Sequence, residues 1–296
     1  MSVHATLPPR VPLPGGTGIT SASSPPLVLP GSHFVAALLF WMLGAAGLVW
    51  ISPDLAQGMF PLPRVVAVTH LFTLGWITTS ILGALCQLFP VVLGQPLRST
   101  RTAYATLALH VPGILLFVAG LLTAQRFTLL AGAALFGTGL LLFIGNVALT
   151  LARIPRRDLT WWCIAGAGFF LAATVALGVT LAGNLHYGYL GGSRLLVLGV
   201  HAHIAIAGWV LLVVVGVARH LLPMFLISHG APLRPAKSAA ALLGTGVMLL
   251  VVGYHMGDVV GYTLPALLIA AGTAAFLVQA ALFFRHRKRP RLDAGM

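Results

Sequence analysis

Long apolar runs, separated by short clusters of Arg, Pro, Gly and Asp, recur along the chain. A helix rises 1.5 Å per residue, so about 20 residues cross the ~30 Å hydrocarbon layer of a bilayer. Eight charge-poor runs reach that length: 33–51, 64–90, 103–124, 127–151, 160–182, 194–224, 238–254 and 262–284. The pattern predicts an all-α polytopic membrane protein with eight transmembrane helices. Residues 1–32 interleave Pro8, Pro9, Pro12, Pro14, Pro25, Pro26 and Pro30 with Gly, Ser and Thr, a mixture that reads as a flexible tail. No basic-then-apolar stretch with a small-residue cleavage site comes first, so the first span is expected to direct insertion itself, with the chain left whole.

Composition narrows the class. Of 296 residues 58% are hydrophobic and only 7% charged, and the mean hydropathy is +0.99, values no soluble domain carries. The net charge of +13 raises the question of nucleic acid, but the cations are spread over loops that border the membrane, where anionic lipid is the expected partner. Their distribution also predicts orientation. Arg10, Arg98, Arg101, Arg153, Arg156, Arg157, Arg234, Lys237, Arg285, Arg287, Lys288, Arg289 and Arg291 fall on one side; only Arg64, Arg126 and Arg194 fall on the other, with Arg219 inside a span. Positive loops stay cytoplasmic, so a multi-pass protein of the plasma (inner) membrane with both termini inside is expected. Cys86 and Cys163 lie in apolar runs without a CxxC or CxxCH context, which predicts neither a disulfide framework nor covalent haem attachment.

The runs are not independent. HLFTLGWITTSILGALCQLFP and HIAIAGWVLLVVVGVARHLLP align without a gap, pairing His70 with His203, Gly75 with Gly208, Trp76 with Trp209, Gly83 with Gly216 and Pro90 with Pro223, every pair 133 positions apart. The match resumes after a three-residue insertion at Pro96-Leu97-Arg98 and Pro232-Leu233-Arg234. Self-similarity at a fixed period exposes architecture. A unit of four spans is even, so the two repeats are expected to run parallel, over 33–151 and 152–284, ahead of a basic tail at 285–296. Gly75 with Gly83, and Gly208 with Gly216, lie about 80° apart around their helices. They predict smooth surfaces suited to close packing or to something flat.

Histidines inside a bilayer are costly, which makes a functional role the first hypothesis. His70 and His203 occupy equivalent places near the outer ends of spans 2 and 6, where they are expected to face one another. His201 stands two residues before His203, roughly 200° around the helix, so the two cannot easily serve one metal ion from one face.

The segment VHAHIAIAGWVLLVVVGVARHLLP resembles the His-x-His helix of the catalytic subunit of haem-copper oxidases, in the C-type oxidase and nitric-oxide-reductase branch. The His-x-His, Gly-Trp and Leu-Pro elements carry the likeness. The resemblance implies that His70 and His203 are axial ligands of a low-spin haem b and that His201 serves a second haem. Gly75, Gly208, Trp76, Trp209, Arg64 and Arg194 become contacts of the second rank. The chain departs from that family in several respects. It has eight spans rather than twelve, and no adjacent pair of histidines for a copper site. Between the two matching spans stand only His110 and His186. It has no Glu, and Asp54, Asp158, Asp258 and Asp293 lie in loops or the tail, so no carboxylate proton channel is expected. His186, His255 and Asp258 in outer loops are weak candidates for a metal site or for propionate contacts.

These readings predict a membrane haem-binding protein, a reduced relative of oxidase subunit I, engaged in electron transfer or gas-ligand binding with a redox partner subunit or cytochrome. Complete oxygen reduction is not expected. A second class is copper or haem handling, akin to the NnrS-like membrane proteins. The third is a transporter or structural subunit in which the histidines line a polar path or brace helices.

Overall fold

The computed structural model describes residues 25–256 and 259–288. Eight helices in it are long and apolar enough to cross a membrane. We label them α1 (Val28–Ala56), α2 (Pro63–Leu93), α3 (Thr100–Thr123), α4 (Arg126–Leu151), α5 (Leu159–Tyr187), α6 (Gly191–Leu226), α7 (Arg234–Met256) and α8 (Val259–Arg285). No strand occurs among the described residues, and Ser228 and Arg287 form an isolated bridge. Helix α1 begins at Val28, earlier than hydropathy places it, with Pro30 in its first turn. Proline is tolerated there because the first-turn N–H groups have no partner within the helix. Ser99 and Asp158 cap α3 and α5 by accepting from the Thr102 and Trp161 N–H groups.

Successive helices pack antiparallel through glycines. A Cβ added at Gly75 would lie 2.6 Å from the Phe40 ring of α1, and one at Gly208 would lie 2.7 Å from the Phe170 ring of α5. The same pairs of helices meet again at Gly83, which receives His33, and at Gly216, which receives Cys163. Helices α3 and α4 approach so closely that a Cβ at Gly113 would stand 2.4 Å from the Phe136 backbone nitrogen; at Gly246, 133 positions later, the neighbour is Ile269 of α8. Without a hydrophobic drive between helices in lipid, such van der Waals fit is what joins them.

Spans 2 and 6 share another feature. Each changes from α to π geometry immediately after its histidine, over Leu71–Thr78 and Ile204–Leu211. A π segment widens the helix and shifts the register of the turns beyond it. It also leaves carbonyls in need of partners: Leu74 O accepts from Thr79 Oγ1 at 3.0 Å and from His110 Nε2 of α3 at 3.3 Å.

Buried amides tie loops to helices at one end of the bundle. Asn146 of α4 accepts from Ser99 N at 3.0 Å and donates to Ser99 O at 2.8 Å, while Thr150 Oγ1 accepts from Arg98 N. Gln279 of α8, 133 positions after Asn146, accepts from Ala236 N at 3.0 Å.

Candidate functional site

Near the end opposite the amide clamps, α2, α3, α5 and α6 leave a narrow cleft. His70 and His201 stand on its walls, with Phe117, Gly178 and Leu198 beside them and Arg194 towards the start of α6. The cleft holds about 50 Å3. The two imidazole centroids are 6.5 Å apart and their planes within 26° of parallel. Metal–imidazole bonds of about 2 Å place rings on opposite sides of one metal with centroids roughly 6.3 Å apart. The observed spacing therefore matches that of two imidazoles sharing a single ion.

Hydrogen bonding sets which nitrogen of His70 is available. Its Nδ1 lies 2.7 Å from the Val66 carbonyl, which only accepts, so Nδ1 carries the proton and Nε2 keeps its lone pair. Ligating histidines commonly donate their second N–H to a backbone carbonyl, which fixes the ring. His33 and His203 make the same bond one turn back, to Leu29 and Gly199, so the bond alone does not mark a ligand. What distinguishes His70 is the imidazole facing it. His201 packs against Gly178, where an added Cβ would come within 3.2 Å of the ring, and its buried Nδ1 has no side-chain or backbone hydrogen bond of good geometry. Phe117 meets His70 edge-on at 5.2 Å.

The facing pair is thus His70 with His201, whereas the sequence expectation pairs His70 with His203. His203 is exposed on the other side of α6. The 200° between His201 and His203 allows only one of them to point into the cleft. His70 and His203 each stand directly before a π segment, and matching positions on two helices need not be opposed.

The expected contacts of second rank divide. Arg194 lines the cleft. Arg64 instead forms a two-pronged ion pair with Asp54, both N–O distances being 2.5 Å. That hydrogen bond, with the Arg64 charge, holds the Asp54 carboxyl below the usual range against a smaller effect of burial. Gly75 and Gly208 are filled by Phe40 and Phe170, so their smooth surfaces serve helix packing and no flat ligand. Trp76 is 40% exposed and lies near Trp41, while Trp209 is buried with Nε1 unpaired. His186 is exposed, and no group of three or more His, Cys, Asp or Glu side chains among the described residues is placed to hold a metal. The side chains of His255 and Asp258 lie outside the described residues. Arg126 is spent on cation–π contacts, 5.1 Å from Phe127 and 5.8 Å from Tyr187.

Two features were not anticipated. His110, fully buried, supports the π segment through Leu74 O. Its depth was legible, but its partner carbonyl exists only because α2 changes geometry. Arg219, inside a span, pairs with Asp158 at the head of α5, with Thr160 Oγ1 at 3.2 Å. Asp158, an opposite charge at a similar depth, was the available signal. The chain matches no known family model and no curated protein.

Proposed function

We propose that this protein binds haem b within the membrane and transfers electrons, with His70 and His201 as the axial pair. The observation that supports this most is their 6.5 Å ring separation across an apolar cleft, with His70 Nε2 left free. Bound there, haem supplies a one-electron couple whose potential is set by its ligands, burial and hydrogen bonds. The residues around the pair favour such a use. Leu121, Leu181 and Leu185 line the cleft and exclude water, and Arg194 would pair with a propionate. At about 50 Å3 the cleft is smaller than the 300–1,000 Å3 of ordinary ligand sites. A porphyrin therefore requires Phe117 and the leucines to swing outward, a movement no polar contact of theirs opposes. The oxidase likeness favours His203 as the axial ligand; the geometry favours His201. The reading includes two parallel repeats, supported by the equivalent π segments, and a cytoplasmic basic end.

The test is a visible spectrum of the purified protein. A sharp reduced α band is expected, abolished in His70→Ala and in His201→Ala and kept in His203→Ala. A colourless preparation from haem-replete cells defeats the proposal, as does a band that survives His201→Ala and disappears with His203→Ala.

A bare ion is the second reading, favoured by the small volume, since it enters without rearrangement. Two imidazoles with no third His, Cys, Asp or Glu ligand among the described residues suit copper(I) better than ions that demand four donors. Metal analysis of the same sample separates the two.

A further inference from the structure

A second opening lies far from His70 and His201, where α5 begins and α6 ends. It has a volume of about 500 Å3 and is walled by Arg156, Arg157, Asp158, Trp162, Arg219 and Lys237. That is the size of an ordinary small-molecule site.

Its charge does not balance. The carboxylate of Asp158 is committed to Arg219. Of the other acidic residues, only Asp54 is described, and it is paired at the far end with Arg64. Arg156, Arg157 and Lys237 therefore border the opening without a carboxylate among the described residues. Arg157 is held in place over the Trp161 ring at 4.9 Å. Asp158 is itself fixed twice, by capping Trp161 N and by Arg219, so the pair forms a rigid, neutral floor beneath three cations.

The surroundings identify what such a site would take. Trp162 is 59% exposed at the head of a span, the level at which indole rings settle between headgroups and acyl chains. The opening thus joins a cationic chamber to the lipid-facing surface. We propose that it holds the phosphate of an anionic phospholipid, with Arg156, Arg157 and Lys237 on the headgroup and Trp162 against the acyl chain. The site is built from the loop before α5, the end of α6 and the first turn of α7, which sets it apart from positive charge merely scattered at a membrane surface. It does not depend on the haem proposal.

Phosphatidylglycerol with brominated acyl chains, titrated into the full-length protein in detergent, reads the site through tryptophan quenching. Basic residues at a lipid surface act about fivefold each, so the triple variant R156Q/R157Q/K237Q is expected to weaken binding roughly a hundredfold. The triple R98Q/R101Q/R153Q, which removes the same charge from nearby residues that do not line the opening, is expected to change it little. Should the first triple fail to fold, K237Q alone carries the test, with about a fivefold loss. Equal losses in the two triples overturn the proposal, because they mean diffuse attraction. Quenching by brominated phosphatidylcholine of the same strength overturns it as well. Displacement of the lipid by millimolar inorganic phosphate overturns the lipid assignment in favour of a free-phosphate site.

Discussion

In residues 28–151, the hollow left by Gly83 on α2 receives the imidazole-bearing His33; in residues 159–285, the hollow left by Gly216 on α6 receives Cys163. The same helices, packed in the same way, carry different chemistry in the two halves. Buried His110 of α3 answers to Leu243 of α7, since Gly139 packs on His110 as Gly272, 133 positions on, packs on Leu243, the loop insertion being compensated before the helices meet. Cys86 and Gln87 answer to Arg219 and His220, of which Arg219 pairs with Asp158. At these positions the first half has buried His110 and Cys86, and the second has the partly exposed Arg219 and His220 at the basic end. The lesson is that glycine-based packing fixes the frame, while the residues that fill the hollows are free to diverge. The cleft belongs to neither half: it takes one histidine from each, at positions that are not equivalent.

That asymmetry supplies the largest expected effect. If the site is asymmetric, His70→Ala and His201→Ala each remove the haem absorbance entirely and His203→Ala leaves it. A symmetric site reverses the outcomes for His201 and His203, which a spectrum of each purified variant decides.

The packing comparison comes next. Gly113→Ala drives a methyl to 2.4 Å from a backbone nitrogen that cannot rotate away, whereas at Gly246 the nearest atom is the Ile269 side chain, at 2.9 Å. Overpacking costs about 1–3 kcal/mol, so Gly113→Ala is expected near the top of that range and Gly246→Ala near the bottom. Thermal unfolding in detergent measures both, and equal losses would deny the difference between the halves.

The amide clamps give a smaller contrast. Asn146 makes two bonds to Ser99 and Gln279 makes one to Ala236. At roughly 1 kcal/mol per bond, Asn146→Ala should cost about twice as much as Gln279→Ala in the same assay.

The smallest effects concern acid. Burial pushes the Asp158 carboxyl up, but the Arg219 hydrogen bond, the Trp161 N–H and the charges of Arg219 and His220 together hold it below its ordinary value. A depressed carboxylate stabilises the fold above its unfolded pKa, near 3.9, and this contribution is lost as pH falls through the lower folded value. Asp158→Asn should therefore lower the melting temperature at neutral pH and converge with the parent protein once the pH falls below the depressed folded value. Asp54→Asn, in an ion pair whose Arg64 is half exposed, should shift melting least of all. A larger shift for Asp54 than for Asp158 would invert the ranking.

Much of the architecture was legible in order along the chain. Hydropathy located the eight spans because a bilayer demands about 20 apolar residues of each, and Ser99 and Asp158 stand where helix starts need side-chain acceptors. The 133-residue period exposed equivalent positions, and His70, His201 and Arg194 stand out in the sequence without any geometry. The roles of Gly75 and Gly208 were not legible, because a smooth helix face accepts a ring from a ligand or from Phe40 alike. The pairing of Arg64 with Asp54 was likewise hidden by its dependence on how the loop between α1 and α2 folds back.

What the sequence determined by itself, then, was periodicity: the lengths of the helices, the 133-residue spacing of matching positions, and the 200° between His201 and His203. Only the tertiary structure decided how far each helix is turned about its own axis. That rotation is set by which side chains fill the glycine hollows and by the π segments that shift register below each histidine. For this reason a pattern along one helix predicts which residues share a face, but the histidine that meets His70 is chosen by the packing of α5 and α6.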